Sequence, residues 1–560
     1  MARMTGGEAM ARAALANGID TVFGLPGAQI YPLFDAFKRL GTQLVFPRHE
    51  QAAAYMAYGA AKSTGRPAAF AVVPGPGILN TATALLTAMG GCAPVIGLTG
   101  QVPSQFLGKG RGHLHELPDQ PATLRTFIKD ALHIGQPADA PAIINRAFQT
   151  ARSGRPGPVT VEMCWDTMAE HGEVTFDDGH PAIVNPQLDT DAIQAAARTI
   201  VAAKKPMIMC GAGAQHAADE VLALAELLNA PVTAFRSGRG IVPEDHALGV
   251  RSVAARELYD EVDVLIGIGS RLEMPYMRWR DMNRYEQKPA GGPTIIRIDI
   301  DPQEMDRLRP DIGVVADSAE ACQALLRELE TSSSPNPDRL DEIRAAKARA
   351  DAAVERIQPQ VDYLRAIRDV LPRDGFFVPE LSQVGFATYF AWPVLAPRTY
   401  VTEGFQGTLG FGFPTALGVK VANPDRAVVS VTGDGGFLFG LQELATAAAH
   451  RIGLVTLVFN NSAYVNVRRD QQRLFDGRLA GADLRNPDFV RLAESFGVEA
   501  HRTGSPQSLR LLLERALGRD EPTLIEVVLG NEAEASPWEF IMMPKPLARP
   551  AGEASCGGDR

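Results

Sequence analysis

Residues 427–461 read AVVSVTGDGGFLFGLQELATAAAHRIGLVTLVFNN. Ala427–Thr432 is a short β-branched run that predicts a buried strand, and Leu454–Phe459 predicts a second. Phe439–His450, between them, predicts a helix. A strand–helix–strand unit forms a right-handed βαβ crossover, so its strands run parallel and end on the same sheet edge. The first strand ends at Gly433-Asp434-Gly435-Gly436 and the second at Asn460-Asn461. Asp434 and Asn461, 27 positions apart, are therefore expected as neighbours in space.

A carboxylate and an amide oxygen are hard ligands suited to Mg²⁺ or Ca²⁺, and Mg²⁺ usually completes its octahedron with phosphate oxygens and water. The glycine amides and the helix N-terminus after Gly435 suit a phosphate group. Residue chemistry alone thus points to a metal-bridged diphosphate. The ordinary alternative is a glycine turn with Asp434 as a helix cap; the pairing of the two motifs on one sheet edge outweighs it.

The same rhythm of apolar strand, glycine turn and amphipathic helix recurs along the chain. Thr21–Phe23 precedes GLPGAQ, Ala69–Val73 precedes PGPG, Val95–Leu98 precedes TGQ, Met207–Met209 precedes CGAGA and Val264–Ile268 precedes GSR. This pattern predicts an α/β protein of doubly wound parallel sheets, with ligands at the carboxyl ends of the strands. The chain's 560 residues suggest about three or four domains. A polar stretch near 170–190 and the Ser/Pro segment TSSSPNPD at 331–338 mark two boundaries. The expected blocks are 1–175, 185–330 and 355–540, with a linker and helix over 331–354 and a flexible tail over 541–560.

Lys+Arg 55 against Asp+Glu 65 gives a net charge of −10, which offers no electrostatic reason to expect nucleic acid or an anionic membrane as partner. No apolar run approaches a membrane span and the start lacks a signal-peptide core. Five widely spaced cysteines form no CxxC pair, which disfavours a disulfide framework or zinc site. A reducing, cytoplasmic location is expected.

GDG followed by Asn-Asn at this spacing resembles the thiamine diphosphate binding motif. The whole chain resembles the acetolactate synthase/pyruvate oxidase/benzaldehyde lyase superfamily, whose order is pyrimidine-binding, central and diphosphate-binding domain. That resemblance implies thiamine diphosphate and Mg²⁺ as cofactors. The metal would be held by Asp434, Asn461 and the carbonyl of Ala463. Gly433, Gly435, Gly436, Tyr464 and Val465 would face the diphosphate, as would Gln383 and Val384 in the segment Leu381-Ser382-Gln383-Val384. The stretch EGFQGTLGFGFPTALG, residues 403–418, resembles the family's GGLGxMGFGLPAAIG. It places Leu409 as the wedge between the cofactor's two rings and the Gly407 carbonyl against its 4′-amine. Pro76 and Asn80, after the PGPG turn, are further expected contacts. Arg48-His49-Glu50-Gln51-Ala52-Ala53 resembles the family's RHEQAA. Glu50 would hydrogen-bond N1′ of the aminopyrimidine and favour the imino tautomer that takes the C2 proton.

Departures from the family concern the substrate. Benzaldehyde lyase-like members carry His where this chain has Gln29, and acetolactate synthases a small apolar residue, so Gln29 is a candidate polar contact. Where acetolactate synthases read towards Phe-Gln-Glu, this chain has Leu114-His115-Glu116, making His113 and His115 candidate proton donors or carboxylate contacts. After the Asn pair, Tyr464-Val465-Asn466-Val467-Arg468-Arg469-Asp470 replaces the family's Gly-Met-Val and Trp. Arg468 and Arg469 either meet a substrate carboxylate or form a solvated helix face. In the central block Gly211-Ala212-Gly213-Ala214 survives, but Gly269-Ser270-Arg271-Leu272-Glu273 lacks the acidic pair of the synthases' flavin motif, so FAD is not expected.

The expected function is C–C bond cleavage or formation on a 2-oxo acid or 2-hydroxyketone, by a decarboxylase, carboligase or lyase. A 2-hydroxyacyl-CoA lyase or oxalyl-CoA decarboxylase is the alternative, and a catalytically silent binding protein of the same fold the remote one. The resemblance also implies a homodimer or homotetramer, because pyrimidine and diphosphate blocks of different subunits face one another.

Overall fold

Strand Val428–Gly433 pairs in parallel with Val455–Asn460, aligning Val431 with Leu457 and Gly433 with Phe459. The computed structural model describes residues 1–176, 182–279, 291–330, 338–530 and 533–547. These two strands lie inside a five-stranded parallel sheet with Phe376–Pro379 at one edge and Glu499–Thr503 at the other. Val, Leu and Ile bury both faces of these strands, as a sheet covered by helices on each side requires.

Two further parallel sheets, each six-stranded, precede it. One is built from strands between Thr21 and Cys164, the other from strands between Pro206 and Val315. Helix Leu340–Val354 follows the predicted position; the linker 331–337 lies outside the described residues. The polar stretch near 170–190 was read as a boundary alone. Its His171–Val174 instead forms a strand antiparallel to Ala2–Thr5, tying the first block's two ends together.

Two expectations are corrected. The predicted helix over Phe439–His450 is instead a 3₁₀ turn at Leu441–Glu443 and a helix at Leu444–Ala449, preceded by a separate turn of helix at Asp434–Phe437. Gly440, at φ −130° and ψ 10°, interrupts it, consistent with glycine's high cost in a helix interior. The expected flexible tail over 541–560 is docked through residue 547: Ile541 and Met543 are buried, Met543 donates its N–H to Arg278 O at 3.0 Å, and Leu547 donates to Glu257 at 2.6 Å. The remaining residues, 548–560, lie outside the described ones.

Helix Glu50–Thr64 of the first block packs on helix Gly412–Ala422 of the third. A Cβ added at Gly59 would lie 2.2 Å from Thr415 O, and one at Gly418 2.0 Å from Met56 O. Two glycines thus let the helices approach backbone to backbone. That contact anchors the helix that begins at Glu50.

Candidate active site

The loop leading to Glu50 is held from the third block. Glu443, fully buried, accepts the backbone N–H of Arg48 on both oxygens (2.9 and 3.1 Å) and the hydroxyl of Thr446 at 2.6 Å. His450 Nε2 accepts the N–H of Phe46 at 3.1 Å. His49 caps the helix by accepting Gln51 N–H. Glu50 is half-buried and accepts from Asn80 Nδ2 at 3.0 Å. Gly77 lies beneath it: a Cβ there would sit 3.7 Å from Glu50 Oε1. Pro76 starts the helix Pro76–Asn80 and is exposed.

At the other centre, Asp434 is buried, and Asn486 Nδ2 donates to its Oδ2 at 2.6 Å. Burial pushes the Asp434 carboxyl upward, against the hydrogen bond from Asn486 and backbone N–H groups that include Ser462's. The same Asn486 Nδ2 donates to Asn460 Oδ1 at 2.9 Å, which places the end of the second strand beside Asp434, as the βαβ geometry predicts. Asn461 donates to buried Glu534 at 2.6 Å, and Ala463 N–H reaches Asn461 Oδ1 at 3.2 Å. Burial raises the Glu534 carboxyl to about 7, with Asp434 adding to the rise. Among the described residues Asn486 Oδ1 is buried without a hydrogen-bond partner. Two buried acids and an orphaned amide oxygen beside them are a donor set that suits a hard divalent ion.

The glycines divide by what surrounds them. A Cβ at Gly435 would strike the Tyr464 ring at 2.2 Å and one at Gly436 would strike Glu380 Oε1 at 2.1 Å, so these two serve internal packing. At Gly433 the nearest neighbour is Ser382 Cβ at 3.2 Å, which leaves it the more open position. Gly407, at φ +61°, is exposed, and Leu409 is only half-buried, unlike a core leucine. Gln383 accepts from Arg469 Nη1 at 2.6 Å, and Arg469 also donates to the Glu534 carbonyl. Arg468 pairs with Asp483 at 3.0 Å. Both arginines are thus engaged within the chain. Val384 is wholly buried, in the first turn of helix Gln383–Ala391. Val465 is likewise buried, at the start of helix Val465–Leu474.

Gln29 is buried and spends both amide atoms on one loop. Its Nε2 donates to Leu114 O and its Oε1 meets His115 Nδ1, each at 2.6 Å. It is therefore bonded within the chain through both amide atoms. The His113 ring lies on Phe106, with centroids 3.9 Å apart.

Glu380, Asn486, Glu534 and Glu443 were missed. Glu380 had a signal, an acid ending the apolar run FFVP; Asn486 sits in an aperiodic loop and had none. A separate cavity of about 1310 Å³ opens between the blocks, lined among others by Gly211, Arg236, Ser270, Arg271, Asp299 and Phe405.

A parallel α/β architecture with an acid–amide pair at a strand edge defines a diphosphate-binding enzyme class. The chain matches the models for the thiamine pyrophosphate enzyme N-terminal TPP binding domain over residues 4–123, the central domain over 193–325 and the C-terminal TPP binding domain over 382–527. It is 33% identical to a probable acetolactate synthase large subunit of Methanocaldococcus jannaschii, over 95% of this chain and 93% of that protein. It is 32% identical to the probable 2-ketoarginine decarboxylase AruI of Pseudomonas aeruginosa, over 94% of each chain. It is 31% identical to acetolactate synthase isozyme 3 large subunit of Escherichia coli, over 92% of this chain and 93% of that protein. The chain belongs to the thiamine diphosphate-dependent enzyme family.

Proposed function

We propose that the enzyme uses thiamine diphosphate with Mg²⁺ to cleave or form a C–C bond next to the carbonyl of a 2-oxo acid, as a decarboxylase or carboligase. The observation that carries this is the meeting of Asp434 and the Asn461–Ala463 turn at one strand edge, beside an orphaned Asn486 oxygen. Asp434, Asn461 and the Ala463 carbonyl would hold the metal. When bound, the cofactor supplies a nucleophilic carbon and an electron sink.

The chain's own groups orient and tune. Asn80 holds one oxygen of Glu50 and leaves the other to share a proton with a ring nitrogen. Glu380 fixes the backbone around Leu409. Arg469 fixes Gln383. The relatives' names divide between an acetolactate synthase and a decarboxylase of 2-ketoarginine at nearly equal identity, so identity does not choose between these reactions.

Self-association is part of the proposal. Leu79 and Leu86 near the Glu50 face, and Phe439, Leu474 and Phe475 near the Asp434 face, are exposed apolar side chains that a second copy would cover. Among the described residues no helix is long and apolar enough to cross a membrane, and a cytoplasmic location remains our reading.

The cavity favours a second ligand. At about 1310 Å³ it exceeds the usual range for small-ligand pockets, and Arg236 and Arg271 line it, so it suits an anionic dinucleotide. Loss of the acidic pair, which argued against FAD, leaves this space intact. Flavin absorbance in purified protein, released on denaturation, supports the second ligand; colourless protein restores the original expectation.

The test of function is a panel of 2-oxo acids and aldehydes with cofactor and Mg²⁺, reading CO₂ release and products by NMR. Turnover of no member of the panel, with cofactor bound, would overturn the assignment.

A further inference from the structure

We propose that Gln29 and His115 form a pair in which Gln29 holds a proton on Nδ1 of His115 and so leaves Nε2 as the proton acceptor of the substrate pocket. The proposal rests on the proposed function, in which Glu50 serves the bound cofactor.

The argument begins with a carbonyl. Leu114 O can only accept, so the Gln29 atom 2.6 Å from it is the NH₂ group. This fixes the amide's orientation, and the atom 2.6 Å from His115 Nδ1 is then Oε1, which also can only accept. Nδ1 must therefore donate. A neutral imidazole carries one proton, so Nε2 bears the lone pair. No hydrogen bond to Nε2 occurs among the described residues, and the side chain is half-buried rather than exposed. Oε1 stays satisfied when Nε2 gains a proton, because Nδ1–H persists in the imidazolium. The pair thus accommodates both charge states without rearranging.

The backbone supports a built position. His115 adopts φ +64°, a left-handed conformation that costs a residue with a Cβ. Its carbonyl packs so closely on Gly75 that a Cβ there would lie 2.3 Å away. Gly75 precedes the short helix whose Gly77 and Asn80 flank the Glu50 carboxylate. His115 and Glu50 therefore border one five-residue element. His113 has no such placement; its ring stacks on Phe106 and its N–H is held by Glu116 at 3.0 Å. Glu116 is turned to the backbone of Gly112 and His113.

In the step proposed, the hydroxyl of a 2-hydroxyketone substrate breaks its O–H bond, an N–H bond forms at Nε2, and the electron pair stays on oxygen. His115 returns the proton later in the cycle. Gln29 touches no substrate and is a positioning residue.

The test labels the histidine rings of the holoenzyme with ¹⁵N, assigns His115 by its loss in His115→Asn, and reads the solid-state spectrum of the neutral ring, recognised by its own ¹⁵N shifts across a pH series. The expected result is a protonated Nδ1 and an unprotonated Nε2; the opposite tautomer overturns the proposal. Gln29→Leu should admit the Nε2–H tautomer. Gln29→Glu, which keeps an acceptor for Nδ1, should preserve the wild-type tautomer. On the 2-hydroxyketone turned over best, Gln29→Leu should lower kcat at least about tenfold with KM changed less than about twofold. His115→Gln should do at least as much, and the double variant no more than His115→Gln. Additive losses would overturn the pairing. Calorimetry with thiamine diphosphate and Mg²⁺ separates the two readings: failure to bind defeats the proposed function and leaves the tautomer result standing.

Discussion

Glu380 accepts the backbone N–H of Gly410 on Oε1 at 2.6 Å. Its Oε2 accepts Gly412 N–H at 2.9 Å and the Thr432 hydroxyl at 3.1 Å. One buried carboxylate thus joins the loop carrying Gly407 and Leu409 to the strand that ends at Asp434. Glu380→Ala leaves these donors without a partner in a buried site, where each costs about 1–3 kcal/mol. The expected outcome is a thiamine diphosphate Kd raised at least about tenfold, with a lowered Tm; calorimetry and thermal unfolding check both.

Glu380 also makes stability depend on pH. Burial pushes its carboxyl up to about 7, against the hydrogen bonds it accepts. Between the usual carboxylate range near 4.5 and about 7, the folded chain keeps a proton that the unfolded chain has released. Its contribution is therefore most favourable below that window, falls as pH rises through it, and is level above. Asp299, raised to about 6 chiefly by burial, acts in the same direction; His450, held below the usual histidine range by burial, acts in the opposite one. Denaturant unfolding from pH 5 to 7.5 isolates Glu380 as a difference: Glu380→Gln should remove a downward slope on the order of 1 kcal/mol per pH unit. Parallel curves for the two proteins would contradict this.

Asn486 orients Asp434. Its Nδ2 donates to Asp434 at 2.6 Å and to Asn460 at 2.9 Å, so one amide links both strand ends. Asn486→Ala should weaken Mg²⁺ binding by about 10–100-fold, the usual effect of removing a group that orients a metal ligand. Titration of the metal-stripped enzyme with Mg²⁺ in the presence of cofactor reads the change directly.

Glycines of the GDGG turn should separate by substitution. Gly435→Ala drives a Cβ into the Tyr464 ring and should cost about 1–3 kcal/mol of stability. Gly433→Ala meets only Ser382 Cβ at 3.2 Å and should leave Tm nearly unchanged while raising the cofactor Kd. Equal losses of stability in both would show that Gly433 serves packing as well.

The strand–turn–helix rhythm made the sheets legible because parallel strands buried on both faces read as continuous apolar runs. The pairing of Asp434 with the Asn461 turn was legible for the same reason, since two adjacent parallel strands must end on one edge. Phe439–His450 misled because the run Leu441–Ala449 favours helix and outweighed Gly440, where the helix in fact breaks. Contacts between distant segments of one block were illegible. Asn486 reaches Asp434 across 52 residues and Gln29 reaches the Leu114 carbonyl across 85; no local pattern encodes either. The docking of residues 541–547 had a signal, the apolar run Phe540-Ile541-Met542-Met543, which the charged and glycine-rich residues after it outweighed.

The central claim is that Glu50 acts on the bound cofactor and not on folding. Turnover and thiamine diphosphate affinity of Glu50→Gln, measured on the same preparation, test it most directly. Asn80 can still hold the amide, so the account predicts an unchanged Tm, cofactor affinity within a few-fold of wild type, and turnover reduced at least about a hundredfold, as loss of a general acid–base group implies. Unchanged turnover with cofactor bound would contradict it.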